Sequence, residues 1–300
     1  MVYDYRDMAS REPLVAIGVA TMRAKLATVK VRILSTWGSL IPPAVVLRFV
    51  VVCREGTLAE SDIVCSQHDE EHPKTIAWFR HALLTFPHTP WIAHSDDDTW
   101  VNPRVLAREL RLIPPRQEAY GLIFLTLWAG GGKNVSFPII ESFADPVDVN
   151  ARSRNKKPDG STVGNRSFLY PFLQGGFYAL TRDLVEILVP VARGFWKADA
   201  AWIRRQTLGE DAFLFGALHI AAARANLTYK LNHLSWSRYH DLPDKPERMV
   251  FGMGWVFPTE ASTVVHYVKG PTGTVHHAIN CNDKQTAAEL NSDMICASGR

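Results

Sequence analysis

Long apolar runs are missing from this sequence. The longest, "LIPPAVVLRFVVVC", is broken by two prolines and an arginine and falls short of the ~20 residues a membrane span needs. The first residues, "MVYDYRDMASREP", are polar and hold no apolar stretch like that of a secretory leader. The expectation is a chain that is either cytosolic or reaches a membrane only through an N-terminal anchor not present in this sequence. A strong excess of one charge is also absent. The formal net charge is +3, so the basic stripe that nucleic acid demands is lacking and no nucleic-acid partner is expected. Cysteine is scarce: Cys53, Cys65, Cys281 and Cys296 form no CxxC pair, which argues against a zinc knuckle or a thioredoxin-type centre. No internal repeat and no low-complexity block is visible.

What is present reads as an ordinary globular protein. With 300 residues, 47% of them hydrophobic and 21% charged, there is ample material for a core. The even cysteine count permits two disulfides and leaves the pairing open. Three N-x-S/T triplets, at Asn134, Asn165 and Asn226, tilt the reading toward the secretory pathway.

Along the chain, "PLVAIGVA" (13–20), "AVVLRFVVVC" (44–53) and "PWIAHS" read as buried strands: short, apolar and bounded by proline or polar residues. Residues 21–37 and "EEHPKTIAWFRHALLTF" have the spacing of helices. The order β-α-β-α-β predicts a parallel sheet with helices on its faces. "PRVLARELRLI" (103–113) is a further helix, opened by proline at a natural first-turn position. "YPFLQGGFYALTRDLVEILVP" predicts strand, turn and helix, and "GEDAFLFGALHIAAARA" a helix with acids in its first turn. Between them, "DVNARSRNKKPDGSTVGNRS" reads as a long polar surface loop. The expected organisation is an N-terminal tail (1–12), a single α/β domain (13–280) and a polar C-terminal tail (281–300).

The third strand ends in "SDDDTWVNP", which places Asp96, Asp97 and Asp98 together. Adjacent carboxylates repel, and in open α/β sheets ligands bind beyond the carboxyl ends of strands. Side chains alternate along a strand, so Asp96 and Asp98 share a side and Asp97 faces the other. Two such carboxylates suit a hard divalent cation. A solvated acidic turn is the plain alternative, but the return to apolar "TWV" weighs against it. A calcium loop of the EF-hand kind is excluded, because the glycine and glutamate it needs are replaced by Val101 and Ala107.

"HSDDDTWVNP" resembles the aspartate motif of the β-1,3-galactosyltransferase and fringe-like glycosyltransferase family. Further matches follow in the family's order: "STW" (35–37), "ESDIVCSQHDEEHPKT", "YPFLQGGFYALTRDLV" and "GEDAFLFGAL". Together they span roughly residues 14 to 270. There are departures. Leu34 stands where the family usually has arginine, with Arg32 two residues earlier, and Gln174 replaces a frequent cysteine.

The resemblance implies a GT-A type fold, with a Rossmann-like, mostly parallel sheet flanked by helices. It further implies a UDP-sugar donor, a glycan acceptor on protein or lipid, a Mn²⁺ ion, inversion at the anomeric carbon and a lumenal Golgi location. Asp98 is then the expected metal ligand. Asp96 is expected to reach the ion, through water, or to contact the donor. Asp97 is expected to hold the turn or touch the sugar. His266, in "TVVHYVK", is the chosen third ligand over His240, His276 and His277. Asp211 matches the family's base, with Glu210 beside it on the substrate side; the plain reading of "GED" is a helix start. Gly175 and Gly176 are expected to line the sugar pocket. Lys74 is expected at the phosphates or the uracil. Phe177 and Tyr178 divide between sugar stacking and core. Two other functions compete: a metal-dependent phosphatase or nuclease, for which no further carboxylate set is found, and a non-catalytic sugar- or nucleotide-binding member of the same fold.

Overall fold

A computed structural model describes residues 12–53, 60–67, 74–128, 136–138, 168–205, 210–234, 239–241 and 262–266. The chain opens with β1 (Val15–Ala20), α1 (Leu26–Ser35), β2 (Val45–Cys53) and β3 (Ile63–Gln67). It continues with α2 (Lys74–Thr85), β4 (Trp91–Asp96), β5 (Trp100–Val101) and α3 (Pro103–Leu110). Then come β6 (Glu118–Trp128), β7 (Ser136–Pro138), β8 (Phe168–Thr181), α4 (Arg182–Arg205) and α5 (Glu210–Arg224). Short strands follow: β9 (Lys230–His233), β10 (Tyr239–Asp241) and β11 (Val264–His266).

The main sheet has the order β3-β2-β1-β4-β8-β6-β7, with β9 paired to β6. The first four strands are mutually parallel, and β8 enters antiparallel between β4 and β6. β1 is central and buried along its length, as its unbroken apolar sequence requires. Its side chains divide between two cores. Ala16 joins Trp78 and Phe79 of α2, Leu184 and Leu188 of α4, and Phe213 and Leu214 of α5. Val15, Ile17 and Val19 face Ile33 of α1, Leu106 of α3, and Val264. The result is a sheet covered by helices on both faces. Among the described residues, no helix is long and apolar enough to cross a membrane.

From β1 the chain steps outward to β2 and β3, then returns to β1's other side as β4. That reversal opens a crevice beyond the carboxyl ends of β1 and β4, the place where such sheets bind ligands. Ala20 pairs with Asp96 in register, so Thr21 and the aspartates meet there.

Gly18 fixes α2 against this part of the sheet. A methyl group at Gly18 would lie 2.4 Å from the Trp78 ring, so only glycine lets the indole lie flat on β1. Trp78 Nε1 then donates to the Ala93 carbonyl at 2.8 Å. Full burial of a side chain of this size contributes about 3 kcal/mol. α2 thereby holds its first turn, Lys74 and Thr75, at the crevice. Its far end is closed by Arg182, which donates to the carbonyls of Phe86 and Leu83 at 2.9 Å each.

Three local features differ from or add to the sequence reading. β3 is a short edge strand within a stretch assigned no element. Cys53 and Cys65 form a disulfide that joins β2 to β3; Cys281 and Cys296 lie outside the described residues. The glycine pair does not make a turn. β8 is one strand of 14 residues that runs directly into α4. Opposite it, the β6 register jumps from Gly121↔Tyr178 to Ile123↔Leu173, so Gln174 to Phe177 form a bulge against β6 while Phe177 stays paired with Ser95 of β4. Pairing with β4 and β6 on either side keeps the strand continuous where local sequence suggests a reversal. The tail and long-loop readings, Asn134, Asn165, His276 and His277 also lie outside the described residues.

Candidate active site

Asp96 is the last residue of β4, and Asp97 and Asp98 form the turn after it. β5 then pairs antiparallel with β11, with Val265 opposite Trp100 and Val264 opposite Val101. One residue further along β11, His266 comes level with the turn. Its Nε2 lies 3.5 Å from Asp98 Oδ1 and 3.7 Å from Asp96 Oδ2. One ligand atom from each of Asp96, Asp98 and His266 falls within 4.8 Å of the other two. These spacings are too long for good hydrogen bonds. They are close to the roughly 3–3.5 Å between neighbouring ligands on an ion with bonds of about 2.0–2.2 Å. Two hard carboxylates and one borderline imidazole suit a divalent first-row cation. His266 is buried, while the Asp96 side chain keeps 43% of its surface open, so the group faces a cleft.

Burial alone would push the Asp96 carboxyl up. The neighbouring imidazoles of His266 and His94 outweigh it and hold that carboxyl well below the usual carboxylate range. His94 lies two residues before Asp96 on the same face of β4, and its Nε2 is 3.2 Å from Asp96 Oδ1. The ring stacks on Tyr178 of β8, with centroids 5.1 Å apart and planes 25° apart. Phe177 and Tyr178 are both buried, so both belong to the core.

Asp97 turns away from this group. Its Oδ2 accepts from the Thr21 hydroxyl at 2.7 Å, and its backbone carbonyl accepts from the Arg32 guanidinium. The arginine displaced by two positions in the sequence therefore still reaches the aspartate turn. Lys74 donates to the Thr21 carbonyl at 3.1 Å, which places its ammonium beside the same crevice.

The second half of the site comes from β8 and α5. The N–H of Gly175 donates to Asp211 Oδ2 at 2.9 Å, and the N–H of Ala212 donates to Oδ1 at 2.8 Å. A methyl group at Gly175 would sit 3.3 Å from that Oδ2, so the glycine admits a close approach. Thr99, just past the aspartates, donates to the Gly176 carbonyl at 2.9 Å. The metal-type group and Asp211 are thus tied through one short bridge. Burial raises the Asp211 carboxyl, and its two N–H partners offset only part of that; the charges of Asp96 and Glu210 raise it further. Glu210 points elsewhere: its Oε1 accepts the N–H of Thr75 at 3.1 Å, closing the first turn of α2.

Residues 59–206 match the family model for Galactosyltransferase. Over this span the chain is galactosyltransferase-like. The match takes in the aspartates, Lys74 and the glycine pair of the candidate site, and supports a glycosyltransferase. Asp211 and His266 lie beyond it and join the galactosyltransferase-like segment through the contacts above. No curated protein matches the chain. Similar solved structures include a glycosyltransferase involved in the glycosylation of the major capsid of PBCV-1 (12% identity, 89% of this chain and 98% of that one, TM-score 0.43). An active-site mutant of LgtC aligns over 92% of this chain and 93% of that one, at 12% identity and TM-score 0.40. Galactosyltransferase LgtC in complex with donor and acceptor sugar analogs aligns over 85% and 87%, at 11% identity and TM-score 0.37. The reading of the site rests on the family match and on its own geometry.

His94, Thr75, Thr21, Arg32 and Thr99 are the site residues that sequence reasoning missed. Two of them carried a signal: the period of two puts His94 on the face of Asp96, and Arg32 lies two residues before the position where the family usually has arginine.

Proposed function

We propose that this chain is an inverting, metal-dependent hexosyltransferase. It moves galactose or an N-acetylhexosamine from a UDP-sugar to a glycan hydroxyl, forming a β-1,3 linkage. The observation that carries the reading is the meeting of Asp96, Asp98 and His266 in one cleft, with Asp211 bridged to it through Gly175, Gly176 and Thr99. Asp98, Asp96 and His266 would hold Mn²⁺. When bound, that ion supplies charge neutralisation at the diphosphate of the leaving UDP. Asp211 accepts the proton of the acceptor hydroxyl as its oxygen bonds to the anomeric carbon and the bond to UDP breaks. Gly175 and Gly176 give the sugar access to backbone, and Lys74 adds positive charge near the diphosphate.

UDP release tests this directly, across UDP-galactose, UDP-N-acetylglucosamine and UDP-N-acetylgalactosamine, with Mn²⁺ or with EDTA. Release from one donor, lost in EDTA, is the expected result. Mn²⁺-dependent donor binding with no release on any mixed glycan acceptor would establish a binding protein instead. No donor binding at all would sink the reading.

The proposal extends to a lumenal Golgi location. The Cys53–Cys65 disulfide suits an oxidising compartment. Asn226 of the N-L-T triplet is exposed, at positive φ just after α5, as a glycan acceptor must be. In a eukaryotic secretory host, Asn226→Gln is expected to lower the apparent mass by one endoglycosidase-sensitive glycan. A native chain with no glycan and alkylatable Cys53 and Cys65 would contradict the location.

A further inference from the structure

The first turn of α2 holds the aspartate triplet from behind. Lys74 reaches Thr21, and Thr21 holds Asp97. Thr75, 1% exposed, reaches both halves of the site. Its N–H donates to Glu210 at the start of α5, next to Asp211. Its hydroxyl lies 3.0 Å from His94 Nδ1, and the other ring nitrogen faces Asp96.

The chemistry of these groups sets the direction of the chain. A carboxylate only accepts, so His94 Nε2 carries the proton that goes to Asp96. The ring then offers Nδ1 as an acceptor, and the Thr75 hydroxyl donates to it. An imidazole whose two nitrogens are both engaged has one tautomer and one orientation. Stacking on Tyr178 restrains the ring plane as well. His94 takes Asp96 Oδ1, so Oδ2 is the oxygen nearer His266.

We propose that Thr75 is a positioning residue: through His94 it fixes which Asp96 oxygen faces the metal group, and through Glu210 it holds the start of α5 beside Asp211. The proposal rests on the metal-dependent transferase reading. A threonine in the first turn of a helix has no carbonyl four residues back inside that helix to bond. Here that hydroxyl donates to His94, 19 residues away and on another element, and its oxygen also meets the buried Tyr178 hydroxyl. Hydrogen bonds behind ligands of this kind change metal affinity by roughly 10–100-fold when removed.

The test uses the full chain and Mn²⁺ itself, with binding followed by electron paramagnetic resonance alongside UDP-release kinetics. Thr75→Val keeps the shape and the N–H and removes the hydroxyl. It is expected to weaken Mn²⁺ binding about tenfold, and to raise the Mn²⁺ concentration for half-maximal rate to match, while KM for the donor at saturating metal stays near wild type. Thr75→Ser is expected to restore the affinity, and His94→Gln to weaken it at least as much as valine does. Wild-type affinity in Thr75→Val, or a serine variant as weak as valine, overturns the positioning role alone. Wild-type protein that binds no Mn²⁺ overturns the metal reading and this proposal with it. If valine prevents folding, Thr75→Ala carries the same expectation.

Discussion

Asp98→Ala is expected to lower Mn²⁺-dependent UDP release about a thousandfold. Asp98 is the more enclosed of the two carboxylates in the group, with 17% of its side chain exposed, and its Oδ1 is the oxygen nearest to His266. Its loss would leave one carboxylate and one imidazole, too few protein ligands to hold a hard cation firmly. Charge stabilisation of a departing diphosphate is worth several kcal/mol, and a thousandfold corresponds to about 4 kcal/mol. Asp97→Asn is the control on the same turn. Its carboxylate serves Thr21, and an asparagine oxygen can still accept that hydroxyl, so a loss within about tenfold is expected. A Mn²⁺ titration of both variants reads the difference. Equal losses would mean that the turn as a whole, rather than a metal group, supports activity.

The framework of the site was legible because its signals are local. β1, β2 and β4 are apolar runs bounded by polar residues, and a strand buried on both faces can have little else. Pro103 and Asn102 mark the start of α3, where Asn102 accepts the N–H of Val105. The side alternation of Asp96 and Asp97 follows from strand geometry alone. β3 was not legible: "IVCSQ" is five residues of mixed polarity, and its partner β2 defines it. The continuity of β8 past Gly175, in a segment expected to hold a turn, was hidden for a related reason. Two glycines suit either, and the choice is made by β4 and β6 on either side and by Asp211, 36 residues later. The contact of Thr75 with Glu210 spans 135 residues and carries no pattern in either segment. His266 was chosen on resemblance, and its distance to Asp98 depends on the β5–β11 register.

Asp211→Asn should separate activity from stability. Burial, with Asp96 and Glu210 nearby, raises the Asp211 carboxyl above its ordinary value. A carboxyl whose pKa is raised on folding favours the folded state while protonated. That advantage is lost as pH rises through the folded pKa, so at neutral pH the charged base is held at a cost to stability. Asparagine carries no charge and removes the cost, although its amide must face one of the two N–H donors that Asp211 now accepts. The melting temperature is therefore expected to stay within a few degrees of wild type. Turnover is expected to fall by about 10²–10⁴-fold, the usual loss when a general base is removed. In the wild type, log kcat/KM should climb with pH through a group titrating above an ordinary aspartate, since only the carboxylate can accept the acceptor's proton. The variant should lose that limb. If the limb survives with its position unchanged, a different carboxylate is the base, and Glu210, held one residue away against Thr75, is the group to replace next.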